Sequence, residues 1–216
     1  NNDKTKERPK DPFNDYSYDS AYLGFGSQGE ILRELVPNLR YWAEGVMVFG
    51  RSFGDGAWRT RDHVEAWGWD AGVEKLFRKA WLKPRLSFEY MFGSGDADHL
   101  FTPYTGLGGN RTGTEDRSFI AFGARDTGLA LAPGLSNLHI WKLGGAIQPF
   151  DGTKVRLLRD FEVGNNFFLY AKNHASGAIS DALADEFQNY VGWGLDTFIN
   201  WRITSDLAWT VRFGTF

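Results

Sequence analysis

The chain has 216 residues, 42% of them apolar, with a formal net charge of −3 and no cysteine. That is ample chain to bury a core, yet no run approaches the roughly 18–20 apolar residues of a membrane helix, and disulfides and thiolate metal sites are excluded. The mildly acidic balance argues against nucleic acid as a partner, whereas 26 Gly beside 9 Trp, 8 Tyr and 18 Phe suit sheets with tight turns and aromatic girdles.

Residues 1–17 are polar, lack the apolar core of a signal peptide and read as a tail or loop of a mature or internal segment. Beyond them, two-residue alternation broken by Gly, Pro, Asn and Asp predicts strands near 18–27, 37–51, 64–77, 81–93, 137–149, 153–172, 186–203 and 206–216. Several exceed the five or six residues usual in soluble sheets and reach the roughly 9–11 that cross a bilayer. Short turns at 35–38, 78–83, 150–153 and 204–206 alternate with long connections at 52–63, 94–136 and 174–186. Such sorting is the layout of an outer-membrane barrel, with the long loops outside the cell. The segment 94–136 is long enough to fold into a lumen, and short helical turns are expected within 124–137 and around "SDALADEF" (180–187).

The alternation assigns faces. One parity carries Leu86, Phe88, Tyr90 and Phe92, then Trp141, Leu143 and Ile147, then Val191, Trp193, Leu195, Ile199 and Trp201, then Leu207, Trp209, Val211 and Phe213; this is the lipid face. Tryptophans near strand ends (Trp42, Trp67, Trp81, Trp193, Trp209) suit an interfacial belt. The other parity faces water. Its basic members, Arg40, Lys83, Arg85, Lys142, Lys154, Arg156, Lys172, Arg202 and Arg212, are the candidates for a lumen that attracts anions, and they are nearly balanced by Glu44, Asp70, Glu74, Glu89, Asp160, Glu162, Asp196 and Asp206. Arg111, Arg117 and Arg125 in the long loop are the candidates for a positive constriction. The bland alternative is that these charges pair across strands and hold the wall in shape.

Little points to chemistry. The four histidines lack ligand spacing, with His139 expected to face lipid near an interface; Asn173, His174 and Ser176 are neighbours in one loop, which rarely builds a triad. "GLGGNRTG" (106–113) lacks the Lys of a phosphate loop. Asp96 and Asp98 are a thin candidate for Ca²⁺. No enzyme activity and no cofactor are expected.

Three stretches carry a resemblance. "GNNFFLYAKNHASGAISDALADEFQNYVGWGLDTFINWRITSDLAWTVRFGTF" resembles the closing part of alginate-export-type outer-membrane porins. "LSFEYMFGSGDADHLFTPYTGLGG", with Phe101, Pro103 and Tyr104, and "LSNLHIWKLGGAIQPFDGTKVRL" are similar to the same family. The resemblance spans about residues 80–216. It implies an eighteen-stranded barrel that exports an anionic polysaccharide through an Arg- and Lys-lined lumen narrowed by long loops. Eight strands would close only a small, filled barrel, and Phe216 falls on the water-facing parity, so the chain reads as part of a longer barrel.

The resulting expectation is an all-β, antiparallel transmembrane barrel, or a large segment of one, acting as a passive channel in a bacterial outer membrane. Its partners would be the bilayer with its lipopolysaccharide, an anionic polysaccharide or small polar solute, and periplasmic or surface proteins. Three rivals use the same strands: a nonspecific porin, a docking barrel that scaffolds partner proteins, and a soluble sugar-binding sandwich.

Overall fold

The computed structural model describes residues 18–31, 34–53, 61–98, 113–120, 125–180 and 186–216. Within them the alternating segments form β1 (Tyr18–Glu30), β2 (Leu39–Phe53), β3 (Arg61–Leu76), β4 (Arg85–Gly93), β5 (Leu138–Ile147), β6 (Phe161–Lys172), β7 (Tyr190–Arg202) and β8 (Ala208–Thr215). Each strand pairs antiparallel with its chain neighbour in one sheet ordered β1 to β8. β1 and β8 do not pair with each other, so the sheet is open, one wall of a barrel and not a closed one.

Strand length follows from the absence of breakers over long alternating runs. β7, at 13 residues, is about 43 Å long at ~3.3 Å per residue, and a tilt of about 40° leaves enough to cross the hydrocarbon layer. β2 and β3 reach 15 and 16 residues and pair from Leu39↔Lys75 to Phe53↔Arg61, which extends them well beyond β4. The connection expected at 52–63 is thereby shortened to 54–60, which lies outside the described residues.

Register sorts the side chains as the alternation predicts. Directly opposed residues share a face, so Val73↔Phe88, Phe88↔Leu143, Leu143↔Phe167 and Phe167↔Leu195 form an apolar stripe across the outer face. Leu143, Phe88 and Phe167 are exposed although fully apolar, which is the arrangement of a surface that meets lipid. Nearer the long loops, Trp67, Trp69, Phe92, Tyr90, His139 and Trp141 stack in one continuous outer band, with ring centroids 4.7–6.1 Å apart. His139 Nδ1 lies 2.7 Å from Tyr90 Oη, which gives the imidazole a polar partner within this band.

The inner face changes character along its length. Toward the short turns it is polar. Toward the long loops it carries Val48, Val64, Ala66, Met91, Ile140, Phe168 and Tyr170, all buried, because Phe119, Leu135 and Ile179 from the loops cover them. This apolar inner patch gives the long connection a reason to fold back: left bare, each such side chain would forfeit roughly 1.5–3 kcal/mol of burial. Glycines provide the seats. Gly68 lies beneath the Phe119 ring, Gly93 beneath Leu135 and Gly72 beneath Trp42, where any Cβ would collide.

Several expectations are corrected. Trp42 does not join the interfacial belt: it points inward, and its Nε1–H donates to Asp70 Oδ1 at 3.1 Å. Val191 leaves the lipid face because a bulge pairs Tyr170 with Gly192 and Ala171 with Tyr190, which turns Val191 against the inner cluster. β6 begins at Phe161 and not near 153; Arg156–Leu158 form a 3-10 turn instead. Residues 125–137 contain no helix, and 181–185 lie outside the described residues.

Candidate functional site

The inner face of the polar half is built from short side chains beside charged ones, so ions from several strands converge. Arg85 on β4 donates from Nη1 to Glu74 of β3 at 3.1 Å and from Nη2 to Glu162 of β6 at 2.8 Å. Arg40 Nη1 approaches the same Glu74 at 3.8 Å. Glu162 Oε1 also accepts from Asn200, whose Oδ1 accepts from Thr210, continuing the network to β8. Lys142 on β5 lies between Glu89 at 3.1 Å and Asp126 at 2.9 Å, with its ammonium 5.6 Å from the Phe168 ring centre. Arg212 of β8 stands 3.8 Å from the same Asp126.

Asp126 belongs to the long connection, and its neighbours fix residues 125–137 across the inner face as a strap. Arg125 donates to Glu44 of β2 at 2.5 Å and stands 3.4 Å from Asp70 of β3. The Tyr170 hydroxyl donates to the Thr127 carbonyl at 2.8 Å, and the Leu129 N–H donates to Asp196 Oδ2 at 2.9 Å. Thr127 Oγ1 donates to the Pro133 carbonyl at 2.9 Å, closing the strap on itself. Gly128, at φ +102°, takes a left-handed conformation directly over the Tyr170 hydroxyl, where a side chain would be both strained and obstructed. At the far end Asn137, fully buried, accepts the His174 N–H at 2.8 Å and donates to its carbonyl at 3.0 Å, joining the connection before β5 to that after β6.

Two cavities flank the strap. One of about 260 Å³ is lined by Trp42, Arg85, Glu89, Asn200, Phe198 and Arg212. The other, about 210 Å³, lies between Tyr22, Val46, Phe119 and Arg125. The first is lined by rings, amides and ions together.

The basic residues singled out from parity separate into two groups. Arg40, Arg85, Lys142 and Arg212 are on the inner face with the partners given above. Lys172 is on the inner register but buried at the loop end, donating to the Glu186 carbonyl at 2.8 Å. Lys83, Lys154 and Arg156 are in the turns and not on strands: Lys83 pairs with Asp151 at 2.6 Å, tying the β3–β4 and β5–β6 turns together. Arg202 ends β7 and donates to the Thr204 and Ser205 carbonyls of the last turn.

Of the two loop arginines among the described residues, Arg125 reaches the inner face. Arg117 lies at the rim, held by Glu115 at 2.7 Å; their mutual hydrogen bond keeps the Glu115 carboxyl below its usual range and raises Arg117. Arg111 lies outside the described residues, as do Phe101, Pro103 and Tyr104. The Asp96 oxygens accept the N–H groups of Asp98 and Arg117 at 2.8 and 3.0 Å, so this carboxylate organises the loop start. Among the described residues no three His, Asp or Glu side chains gather as a metal site.

Asp126, Thr127 and Tyr170 were not singled out from the sequence. The available signal was the inner-parity glycines Gly194 and Gly214, which leave room against Tyr170 and Leu129. A row of such gaps announces that something is seated there.

No curated protein matches the chain. A family described as alginate export matches residues 7–216. The open antiparallel sheet, apolar outside and ionic within, is the wall that such a protein requires. The chain therefore belongs to the alginate-export family of outer-membrane export channels.

Proposed function

We propose that the chain forms part of the wall of a passive outer-membrane channel for a polar, polysaccharide-like solute, and that the 94–136 connection narrows the passage. The observation that supports this most is the two-sidedness of one sheet: exposed apolar stripes outside, and ions, amides and a hydrogen-bonded strap inside. The outer aromatic band suits the lipopolysaccharide leaflet and the bilayer beneath it. Inside, a saccharide would exchange its water for Asn166, Asn200, Ser87 and Thr210, with Trp42 and Phe198 as stacking surfaces, and no cofactor takes part.

A second reading rests on the strap itself. Because it covers an apolar inner patch, a barrel sealed in this way would act as a scaffold for periplasmic or surface proteins. The complete gene product, reconstituted in a planar bilayer, separates the two. Discrete conductance steps reduced by neutral polymers support the channel; silence from a correctly folded barrel supports the scaffold.

A further inference from the structure

We propose that the linked β3–β4 and β5–β6 turns hold the phosphate of an anionic phospholipid, in the leaflet on the short-turn side, through Lys154, Arg156 and Arg159. The inference rests on the reading of the outer face as a lipid face. Its ground is a cluster of unpaired charge. Residues 77–84 and 148–160 carry six cations, Arg78, Lys79, Lys83, Lys154, Arg156 and Arg159, against Asp151 and Asp160, so these turns are basic although the whole chain is acidic. Lys83 takes Asp151 at 2.6 Å. The other five are exposed, and among the described residues no carboxylate pairs with them. The inner-face cations differ, since Arg40, Arg85, Arg125, Lys142 and Arg212 each stand 2.5–3.8 Å from a carboxylate.

The turn charge lies beside lipid and not over the passage. Phe150, with its ring 5.3 Å from that of Phe161, begins a second outer band that continues to Trp201 and Trp209 in steps of 6.2 Å. The Trp201 Nε1–H donates to the Leu157 carbonyl at 2.8 Å, which seats the 3-10 turn at Arg156–Leu158 against this band. Val155 and Leu157, on either side of Arg156, are each about half exposed. The β3–β4 turn is fixed alongside: the Gln148 N–H donates to the Leu82 carbonyl at 2.8 Å, and Trp81 is 85% exposed. Interfacial rings, apolar side chains free to enter the acyl region and cations just beyond them match a phospholipid from its chains to its phosphate. A zwitterionic head group brings its own ammonium to the cluster, whereas an anionic one does not, so charge selects between them. Each Lys or Arg near an anionic surface favours it by up to about five-fold, within roughly a Debye length.

The test uses the full-length protein in phosphatidylcholine vesicles, with a single fluorophore on Val155→Cys or, in a second sample, on Leu195→Cys of the outer face. Quenching by brominated phosphatidylglycerol is compared with quenching by brominated phosphatidylcholine at the same low mole fraction. The expected result is about three-fold stronger quenching of the 155 probe by the anionic lipid, abolished by about 1 M KCl, and equal quenching of the 195 probe by both lipids. Lys154→Gln, Arg156→Gln and Arg159→Gln together should bring the ratio at 155 to about one while the 195 probe stays quenched, the mark of a wall still folded in lipid. Equal quenching at 155 in the otherwise unaltered turn would overturn the inference and leave the lipid-facing wall standing. A 155 probe that shows no lipid preference and responds to oligogalacturonate would overturn it in favour of a surface that receives anionic polymer. A 195 probe quenched by neither lipid would overturn the lipid-face reading and this inference with it.

Discussion

Gly214→Val is the sharpest perturbation of the strap. Valine favours a strand, so β8 itself should tolerate the change. The strap should not. A Cβ on residue 214 would stand 2.7 Å from Leu129 Cβ, 3.2 Å from the Ala130 nitrogen and 2.6 Å from Asp196 Oδ1. Restoring ordinary contact requires a shift approaching 1 Å, which would break the 2.9 Å bond from the Leu129 N–H to Asp196. A hydrogen bond to a charged group contributes about 1.5–3 kcal/mol, and overpacking costs a similar amount, although the half-exposed strap recovers part of it from water. A net weakening of about 2 kcal/mol is expected, which is roughly a thirty-fold rise in the undocked population. Amide hydrogen exchange in detergent or nanodiscs should show residues 125–131 exchanging about thirty-fold faster, with the β7–β8 ladder unchanged. Unaltered protection of the strap, or loosening confined to the strands, would refute the reasoning.

The remaining predictions concern the wall, the ion network and the rim. Leu143→Arg, at the middle of the outer face, should lower unfolding stability in lipid by about 2–4 kcal/mol, while Thr210→Arg on the inner face should cost less than about 1 kcal/mol; urea titration of the folded barrel measures both. Arg85→Met leaves Glu74 and Glu162 without their bridge and should cost about 1–3 kcal/mol by the same titration, discounted because the guanidinium is one-third exposed; Glu162→Gln in the same chain should restore part of the loss. At the rim, the Glu115 carboxyl is held down by its hydrogen bond to Arg117, so the ordering it lends to the loop is complete above the ordinary carboxylate value of 4.5 and fades as pH falls through the lower, folded value. Arg117→Gln should return the Glu115 titration toward 4.5, as followed by carboxyl NMR.

The strands were legible because alternation in them is long and clean. From Trp193 to Trp201 the odd residues are apolar or Thr on the outer register, and β8 repeats the pattern at Trp209, Val211 and Phe213. β2 was harder, since "YWAEGVMVF" places large side chains on both faces and nothing local says that Trp42 belongs over Gly72. Val191 failed for a different reason: a single bulge inverts parity, and its cause is pairing across β6 and β7. The upper inner face was misread as uniformly wet. Val48, Ala66, Met91 and Phe168 sit on the water-facing parity, and only the fold shows that the long connection keeps them dry. Ion partners were beyond reach for the same reason, because Arg85 and Glu162 are separated by 77 positions and meet through sheet order.

The cysteine-free chain makes the central claim, a sheet with one face in lipid and one facing a passage, directly measurable. Single cysteines introduced along β7 from 193 to 201, in the full-length protein in lipid vesicles, can be probed with a charged aqueous thiol reagent and, after labelling, with a lipid-borne quencher. Positions 193, 195, 197, 199 and 201 should be quenched from the lipid and resist the aqueous reagent; position 200, on the inner face, should show the reverse pattern, and positions 194, 196 and 198, buried on the inner face, should be shielded from the quencher and label slowly. Equal aqueous labelling on both parities, without quenching, would contradict a membrane-spanning wall.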